Sequence, residues 1–311
     1  MPAVFDATSS VAALRALRPL PLPPWGRVVL VDPEHFDVRW AINAHMRGAD
    51  GALQQIDRPR ARQQWQALRA AYERIGFRTV VLPATEGLCD QVFSANPVFP
   101  FSDPKDGACA VLLSVMRHAE RAAEPALLGA FLQAQGVRLL ALEGEEHDVA
   151  AKNVILEGNG DLLFVPRRRL LLGGIGPRSS REGLLLAAAH AAAPLVLLRL
   201  NNPDYYHLDT CVAPLDARTA LVVREALPPE EMILLESIFP RLICVPEGEG
   251  RIAMAGNAHS PDGRFVLIDA AATKTRELLL AQGFEPIPLD TSEFRKSGGS
   301  VFCLKLMLFA G

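Results

Sequence analysis

Five segments with helical periodicity, each separated from the next by two or more strand-like runs, set the tightest limit on how this chain folds. The first covers residues 61–75, where Trp65, Leu68, Tyr72 and Ile75 form one stripe and Gly76 supplies the stop. The second, 119–135, carries Leu127, Leu128, Phe131 and Leu132 and ends at Gly136. The third, 180–192, opens on a capping box of Ser179 with Glu182. The fourth, 229–239, has Pro229 at its start and Pro240 after its end, and the fifth, 273–282, stops at Gly283. Between them lie the strand runs 27–31, 79–82, 110–113, 154–156, 221–223 and 265–268. Helices recurring about every 45 to 60 residues, each with its own strands, predict an internally repeated α/β unit rather than one continuous doubly wound sheet.

Composition narrows the function classes. A net charge of −3 with scattered arginines gives no nucleic-acid surface, and the lone cluster Arg167-Arg168-Arg169 reads as a solvated turn. Five cysteines, Cys89, Cys109, Cys211, Cys244 and Cys303, are odd in number and lack CxxC spacing. That argues against a disulfide framework or a structural zinc and fits a reducing, cytoplasmic location. The most apolar window, 184–200, is broken by His190, Pro194 and Arg199, so no membrane span is expected. Residues 1–24 read as an N-terminal extension with a short amphipathic surface helix and a Pro-rich extended lead-in, and 25–311 as a single catalytic domain.

Each unit also contributes polar residues within or at the end of a strand-like run: Asn96; Glu157 and Asp161; His207 and Asp209; Asn257; and Cys303. Cys303 follows a Gly298-Gly299-Ser300 turn, where small side chains let a substrate approach, and lies in an apolar run, 301–304, that reads as a strand. A thiol nucleophile needs a base to ionise it and an acid for its leaving group, and a histidine serves both near neutral pH. His207 and Asp209, two residues apart, would share one face of a strand. A Cys-His pair among several carboxylates suits a planar cation, because carboxylates grip a guanidinium through paired hydrogen bonds. Read singly, Glu157 could be a hairpin-loop carboxylate and Asn96, before Pro97, a turn residue. His45, His118 and His147 are left to structure or surface.

With these pieces in order, the sequence resembles the guanidino-group-modifying (pentein) superfamily, within it most nearly the arginine dihydrolases and the dimethylarginine dimethylaminohydrolase-like hydrolases. The match runs from Pro33 to Leu306. It is carried by Pro33-x-x-Phe36-x-Val38 with Ile42-Asn43-x-His45-Met46, by 90–96 (Asp-Gln-Val-Phe-Ser-Ala-Asn), by 157–161 (Glu-Gly-Asn-Gly-Asp), by 206–211 (Tyr-His-Leu-Asp-Thr-Cys), and by Ser292-Glu-Phe followed by 298–304. The resemblance implies a five-fold pseudosymmetric α/β propeller of ββαβ-type units. It implies Cys303 as nucleophile, His207 as general acid and base, and Glu157 as a guanidinium-binding carboxylate that supports proton transfer. Asp209 would bind the guanidinium from another side, with Asp161 adding negative charge. Asn96 stands where deiminases have aspartate, as in the dihydrolases. Asn43 would line the pocket, and Arg178, with Arg181 as its rival, would bind the substrate carboxylate.

The implied reaction passes through a thiouronium on Cys303, acts on a small guanidino substrate, and requires no metal or organic cofactor. One round on arginine gives citrulline, as in a deiminase or dimethylaminohydrolase; a second gives ornithine, carbon dioxide and ammonia, the outcome that Asn96 favours. An amidinotransferase and a non-catalytic binding protein on the same fold are the remaining readings. Retention of Cys303, His207, Glu157 and Asp209 together opposes the last. Ser300, Val301 and Phe302 depart from the residues usual before the cysteine, and Pro97-Val-Phe-Pro replaces a glycine-containing turn, which bears on the substrate more than on the chemistry.

Overall fold

The computed structural model describes residues 2–142, 154–246 and 248–310, a mixed α/β fold. His147 lies outside the described residues. Five small sheets are present among them. Each contains a parallel pair joined through a helix, the connection that parallel strands require: Trp25–Val31 with Arg78–Leu82 across Arg58–Arg74, Cys109–Leu113 with Arg138–Leu140 across Glu124–Ala134, Leu171–Ile175 with Leu195–Arg199 across Arg181–His190, Thr219–Val222 with Arg241–Cys244 across Pro229–Ile238, and Phe265–Asp269 with Glu285–Leu289 across Thr273–Ala281. An antiparallel neighbour flanks the first strand of each pair. It is Val98–Ser102, Leu162–Phe164 and Val212–Pro214 in three units, and a single bridge from His259 to Leu267 in another. For the first unit that neighbour is the C-terminal strand Leu306–Phe309, so the last strand pairs with Trp25–Val31.

Central strands covered on both faces read as continuous apolar runs, as Val28–Val31, Ala110–Leu112 and Val266–Ile268 do, each fully buried. The helices start and stop for local reasons. Asp57 accepts from Arg60 N and Pro59 sits in the first turn, while Gly76 takes φ +93°, where a β-carbon would be strained. The expected capping box is different in detail. Ser180 is the cap, accepting from Gly183 N, and Ser179 is turned inward to Asp161. The expected second helix is broken: a 3₁₀ turn at Ala119–Arg121 precedes Glu124–Ala134, with Pro125 in the new first turn.

Other expectations also differ from the structure. Residues 154–156 form no strand, only the bridge Leu156 to Val115. Residues 301–304, expected as a strand, are turns, and Glu157 caps a short helical turn, Gly158–Asp161, rather than sitting in a hairpin loop. In place of a strand there is a 3₁₀ turn, Leu208–Thr210, with His207 at its cap and Asp209 within it. Arg169 is no solvated residue: it is buried and donates to Ser102 O and Ala191 O at 2.9 and 2.8 Å. In the N-terminal segment Val4–Phe5 pairs in parallel with Leu195–Arg199, and Leu14 and Leu22 enter the core. No helix among the described residues is long and apolar enough to cross a membrane.

Candidate active site

The polar residues singled out in the sequence occupy one kind of place. Each lies in the irregular segment just before the antiparallel strand of its unit: 90–97 before Val98–Ser102, 157–161 before Leu162–Phe164, 205–211 before Val212–Pro214, 255–257 before the His259 bridge, and 297–305 before Leu306–Phe309. These five segments are tied in a closed ring of hydrogen bonds. Asn159 N donates to Ala95 O, Leu208 N to Asp161 Oδ1, Asn257 Nδ2 to Asp209 O, Phe302 N to Asn257 O, and Ala95 N to Cys303 O, at 2.9 to 3.2 Å. Turns serve here because strand ladders would spend the backbone groups that the ring uses.

At the centre the Cys303 thiol donates to Asp209 Oδ2 and receives Asn257 Nδ2, both at 3.2 Å. Asn257 Oδ1 meanwhile accepts from the N–H groups of Ser300, Phe302 and Cys303, which fixes the turn that carries the thiol. Burial first, then the Asp209 charge, pushes the thiol well above its ordinary value. Burial likewise pushes Asp209 up to about 7, opposed by the Cys303 hydrogen bond and the charge of Lys305. Asp209 Oδ1 is buried with no hydrogen-bond partner, an acceptor left open at the thiol's side.

His207 Nε2 lies 2.8 Å from Glu157 Oε2 and 4.0 Å from Asp161 Oδ2. Burial pushes Glu157 up, but the Arg178 charge and the His207 contacts outweigh it and hold the carboxyl below its ordinary range. An ionised Glu157 accepts, so Nε2 carries a proton in this pairing. Glu157 also accepts from Arg117 N and, at 2.9 Å, from Arg178 Nη1. Asp161, pushed up to about 6 by burial, takes Ser179 Oγ and Leu208 N and thereby orients the histidine turn.

Asn96 sits on the far side of Gly160, where a β-carbon would lie 2.5 Å from Asn96 Nδ2 and 3.1 Å from the His207 ring. Arg121, held by Glu124 through a buried pair, donates from Nη1 to Asn96 Oδ1 at 3.0 Å. That contact fixes the amide, leaving Asn96 Nδ2 buried and without a partner. Arg178 is 2% exposed, stacks 4.7 Å over the Tyr206 ring and donates to Ile42 O, whereas Arg181 lies at the surface 3.5 Å from Asp6. Asn43 Nδ2 donates to Ser297 O. Gly298 takes φ +86°, and a β-carbon there would lie within 2.9 Å of Asn43 and the Tyr206 hydroxyl. The glycines thus make room for protein side chains that clamp the loop, a use their sequence alone does not display.

The sequence alone gives no site role to Asn257, Arg121 or Lys305, shows Tyr206 only as part of the 206–211 motif, and offers Ser179 only as a helix cap. A buried cation two residues after a candidate nucleophile, at Lys305, was the available signal. Among the described residues no cluster of three or more His, Cys, Asp or Glu is placed to hold a metal ion.

Comparison with known proteins decides the lineage. The model of the family described as N,N dimethylarginine dimethylhydrolase, eukaryotic, matches residues 32–310. The chain belongs to that family. It is an enzyme that hydrolyses linear amidines with a cysteine nucleophile, within the pentein superfamily. It is 33% identical over 303 residues to an N(G),N(G)-dimethylarginine dimethylaminohydrolase of Mycobacterium tuberculosis, covering 97% of this chain and 92% of the relative. It is 34% identical over 282 residues to an uncharacterized protein of Caenorhabditis elegans, covering 91% and 93%. Its fold matches the N-terminal domain of ArgZ, an arginine dihydrolase from the ornithine-ammonia cycle in cyanobacteria, with TM-score 0.80 and 27% identity over 90% of this chain and 97% of that domain.

Proposed function

We propose that the chain is an arginine dihydrolase, with Cys303 as nucleophile and ornithine, carbon dioxide and ammonia as products. The observation that carries this reading is the amide at position 96, whose unpartnered Nδ2 faces the His207 side of the centre. Arginine enters as a cation, and Asp209 Oδ1 is the open acceptor for it. The product of one round is a neutral ureido group with a carbonyl oxygen. A carboxylate at 96 would repel that oxygen, whereas an amide N–H donates to it and keeps the intermediate in place for a second attack.

In each round the Cys303 thiolate attacks the central carbon while His207 transfers the proton held against Glu157 to the departing ammonia. The neutral His207 then takes a proton from water, which attacks the carbon held on Cys303, a thiouronium in the first round and a thiocarbamate in the second, and releases the thiolate. Each round consumes one water and liberates one ammonia; the second also cleaves the remaining carbon–nitrogen bond and frees carbon dioxide. Arg178, with more donors than the two it spends, and Asn43 receive the other end of the substrate. We place the catalytic unit at 25–311, preceded by a 1–24 extension. The propeller arrangement is supported by five like units and the ring of hydrogen bonds that joins their turns.

A second reading, one round on methylated arginine to give citrulline and a methylamine, is favoured by the family match and the mycobacterial relative. Assaying ornithine, citrulline and ammonia together from arginine and from methylated arginines separates the two. Ornithine with two equivalents of ammonia supports the dihydrolase, and Asn96→Asp should then shift product to citrulline. Citrulline alone from the unaltered protein sinks the dihydrolase.

A further inference from the structure

The Asn257 amide faces two ways. Its Oδ1 accepts from the N–H groups of Ser300, Phe302 and Cys303 at 3.1, 3.1 and 3.2 Å. Three donors on one oxygen leave no choice of amide orientation, because a flipped side chain would aim its own N–H groups at theirs. Nδ2 therefore points the other way, where it donates to Asp209 O at 2.9 Å and to Cys303 Sγ at 3.2 Å. Fixing the turn needs only the oxygen. The N–H on sulfur is surplus to that task.

In the neutral thiol the single S–H points to Asp209 Oδ2 at 3.2 Å, and Sγ accepts from Asn257. Loss of that proton reverses the worth of the two contacts. Asp209, an acceptor, has nothing to offer a sulfur anion, whereas the Asn257 N–H becomes a charge-assisted donor, the stronger kind. Among the described residues no other side chain donates to Sγ. Asp209, Tyr206 and Lys305 are the titratable groups whose charges act with that of the thiol. The Tyr206 hydroxyl is spent on Gly298 O at 2.7 Å, and the Lys305 ammonium lies over the Phe302 ring. A neutral amide also suits the place better than a cation would, since the substrate to be bound beside the sulfur is itself cationic.

The donor is held still. Asn257 is buried, its own N–H donates to Met254 O at 2.8 Å and its O accepts from Phe302 N at 3.0 Å. Met254 takes φ +45°, and at Gly256 a β-carbon would lie 2.4 Å from Thr210 O, so the segment is pressed onto the turn that carries His207 and Asp209. A donor anchored in this way needs no rearrangement when charge appears on the sulfur. We propose that Asn257 is a catalytic residue whose Nδ2–H stabilises the Cys303 thiolate, both when the thiol ionises for attack and when the sulfur leaves at the end of each round. In the first event the S–H bond breaks, the proton passes to solvent and the electron pair stays on Sγ. In the second the carbon–sulfur bond breaks and its pair returns to Sγ. The inference rests on Cys303 being the nucleophile.

The test is the pH dependence of Cys303 alkylation by iodoacetamide, a neutral reagent, read by mass spectrometry on the Cys303 peptide so that the other cysteines do not contribute. Asn257→Asp matches the side chain in shape and keeps an oxygen for the three N–H groups of the turn, while the donor to sulfur becomes an acceptor. Alkylation below the midpoint should slow at least about tenfold, and kcat should fall by a similar factor. Unslowed alkylation in folded Asn257→Asp overturns the proposal. That variant also adds a charge, so the unaltered protein labelled with ¹⁵N-asparagine decides independently and needs no variant to fold. There the Asn257 Nδ2 proton facing the sulfur should move downfield with the same midpoint as alkylation. A signal that does not follow that midpoint overturns the proposal too. Full turnover in Cys303→Ser would sink the nucleophile assignment itself, a different failure, since both titrations of the unaltered protein would stand.

Discussion

At the scale of single residues the site separates into two halves with opposite electrostatics. Glu157 is held ionised by Arg178 and His207, while Asp209 and Cys303 are both held toward their neutral forms by burial. The pH dependence of the reaction follows with a definite sign. In the proposed reaction Asp209 would offer its open oxygen to a guanidinium as a carboxylate, and burial pushes it up to about 7, so it loses that charge as pH falls through 7. The account predicts kcat/KM falling toward acid with a limb near pH 7. Asp209→Asn should lower kcat/KM about 10- to 100-fold, the worth of a hydrogen bond to a charged group, and should remove that limb. A limb that persists in the asparagine variant assigns it elsewhere. Cys211, which sequence spacing from His207 marks as a rival in thiol labelling, is buried, pushed well above its ordinary value by burial, and bonded to Leu208 O at 3.4 Å. It should label far more slowly than Cys303 in the presence of a guanidine that binds the site.

At the scale of elements the functional side chains are delivered by turns, and each turn is fixed by one buried polar residue acting on backbone. Asn257 shows this most directly: one amide oxygen serves three N–H groups of the Cys303 turn. Asn257→Ala orphans the Ser300 and Cys303 donors, Phe302 N keeping the backbone carbonyl of residue 257, and we expect a loss of about 3 kcal/mol, seen as a fall in Tm of roughly 5–10 °C, together with loss of activity. An unchanged Tm would mean the turn is held by packing alone. The same geometry explains what the sequence could and could not disclose. Helices such as Arg58–Arg74 and Thr273–Ala281 were legible because periodicity and glycine stops are local. The apolar run around Cys303 read as a strand because Val301, Phe302 and Leu304 are strand formers; it folds as a turn because Asn257, 46 residues away, claims its N–H groups. Cys303, His207, Glu157, Asp209 and Asn96 were legible as a set through motif order. The roles of Asn257, Ser179 and Arg121 were not, since each acts through a partner distant in sequence.

Across the whole molecule, the repeat places one polar turn from each unit on a common centre where, among the described residues, five buried carboxyls (Asp90, Glu124, Glu157, Asp161 and Asp209) face three buried cations (Arg121, Arg178 and Lys305). The surplus suits a cationic substrate and disfavours a neutral one of the same shape. Citrulline supplied from solution should therefore compete with arginine at least about tenfold more weakly than arginine binds, even where an enzyme-held ureido group reacts on. Equal affinities would show that the carboxyls are protonated in the working enzyme. The central claim is covalent catalysis at Cys303 on a guanidino carbon. Its most direct test is acid quenching of the protein during turnover of ¹³C-guanidino arginine, followed by peptide mass spectrometry. The account predicts the label on the Cys303 peptide and none in Cys303→Ser, whose turnover should fall by about a thousandfold or more with its Tm retained. Label on another residue, or turnover surviving in Cys303→Ser, would contradict it.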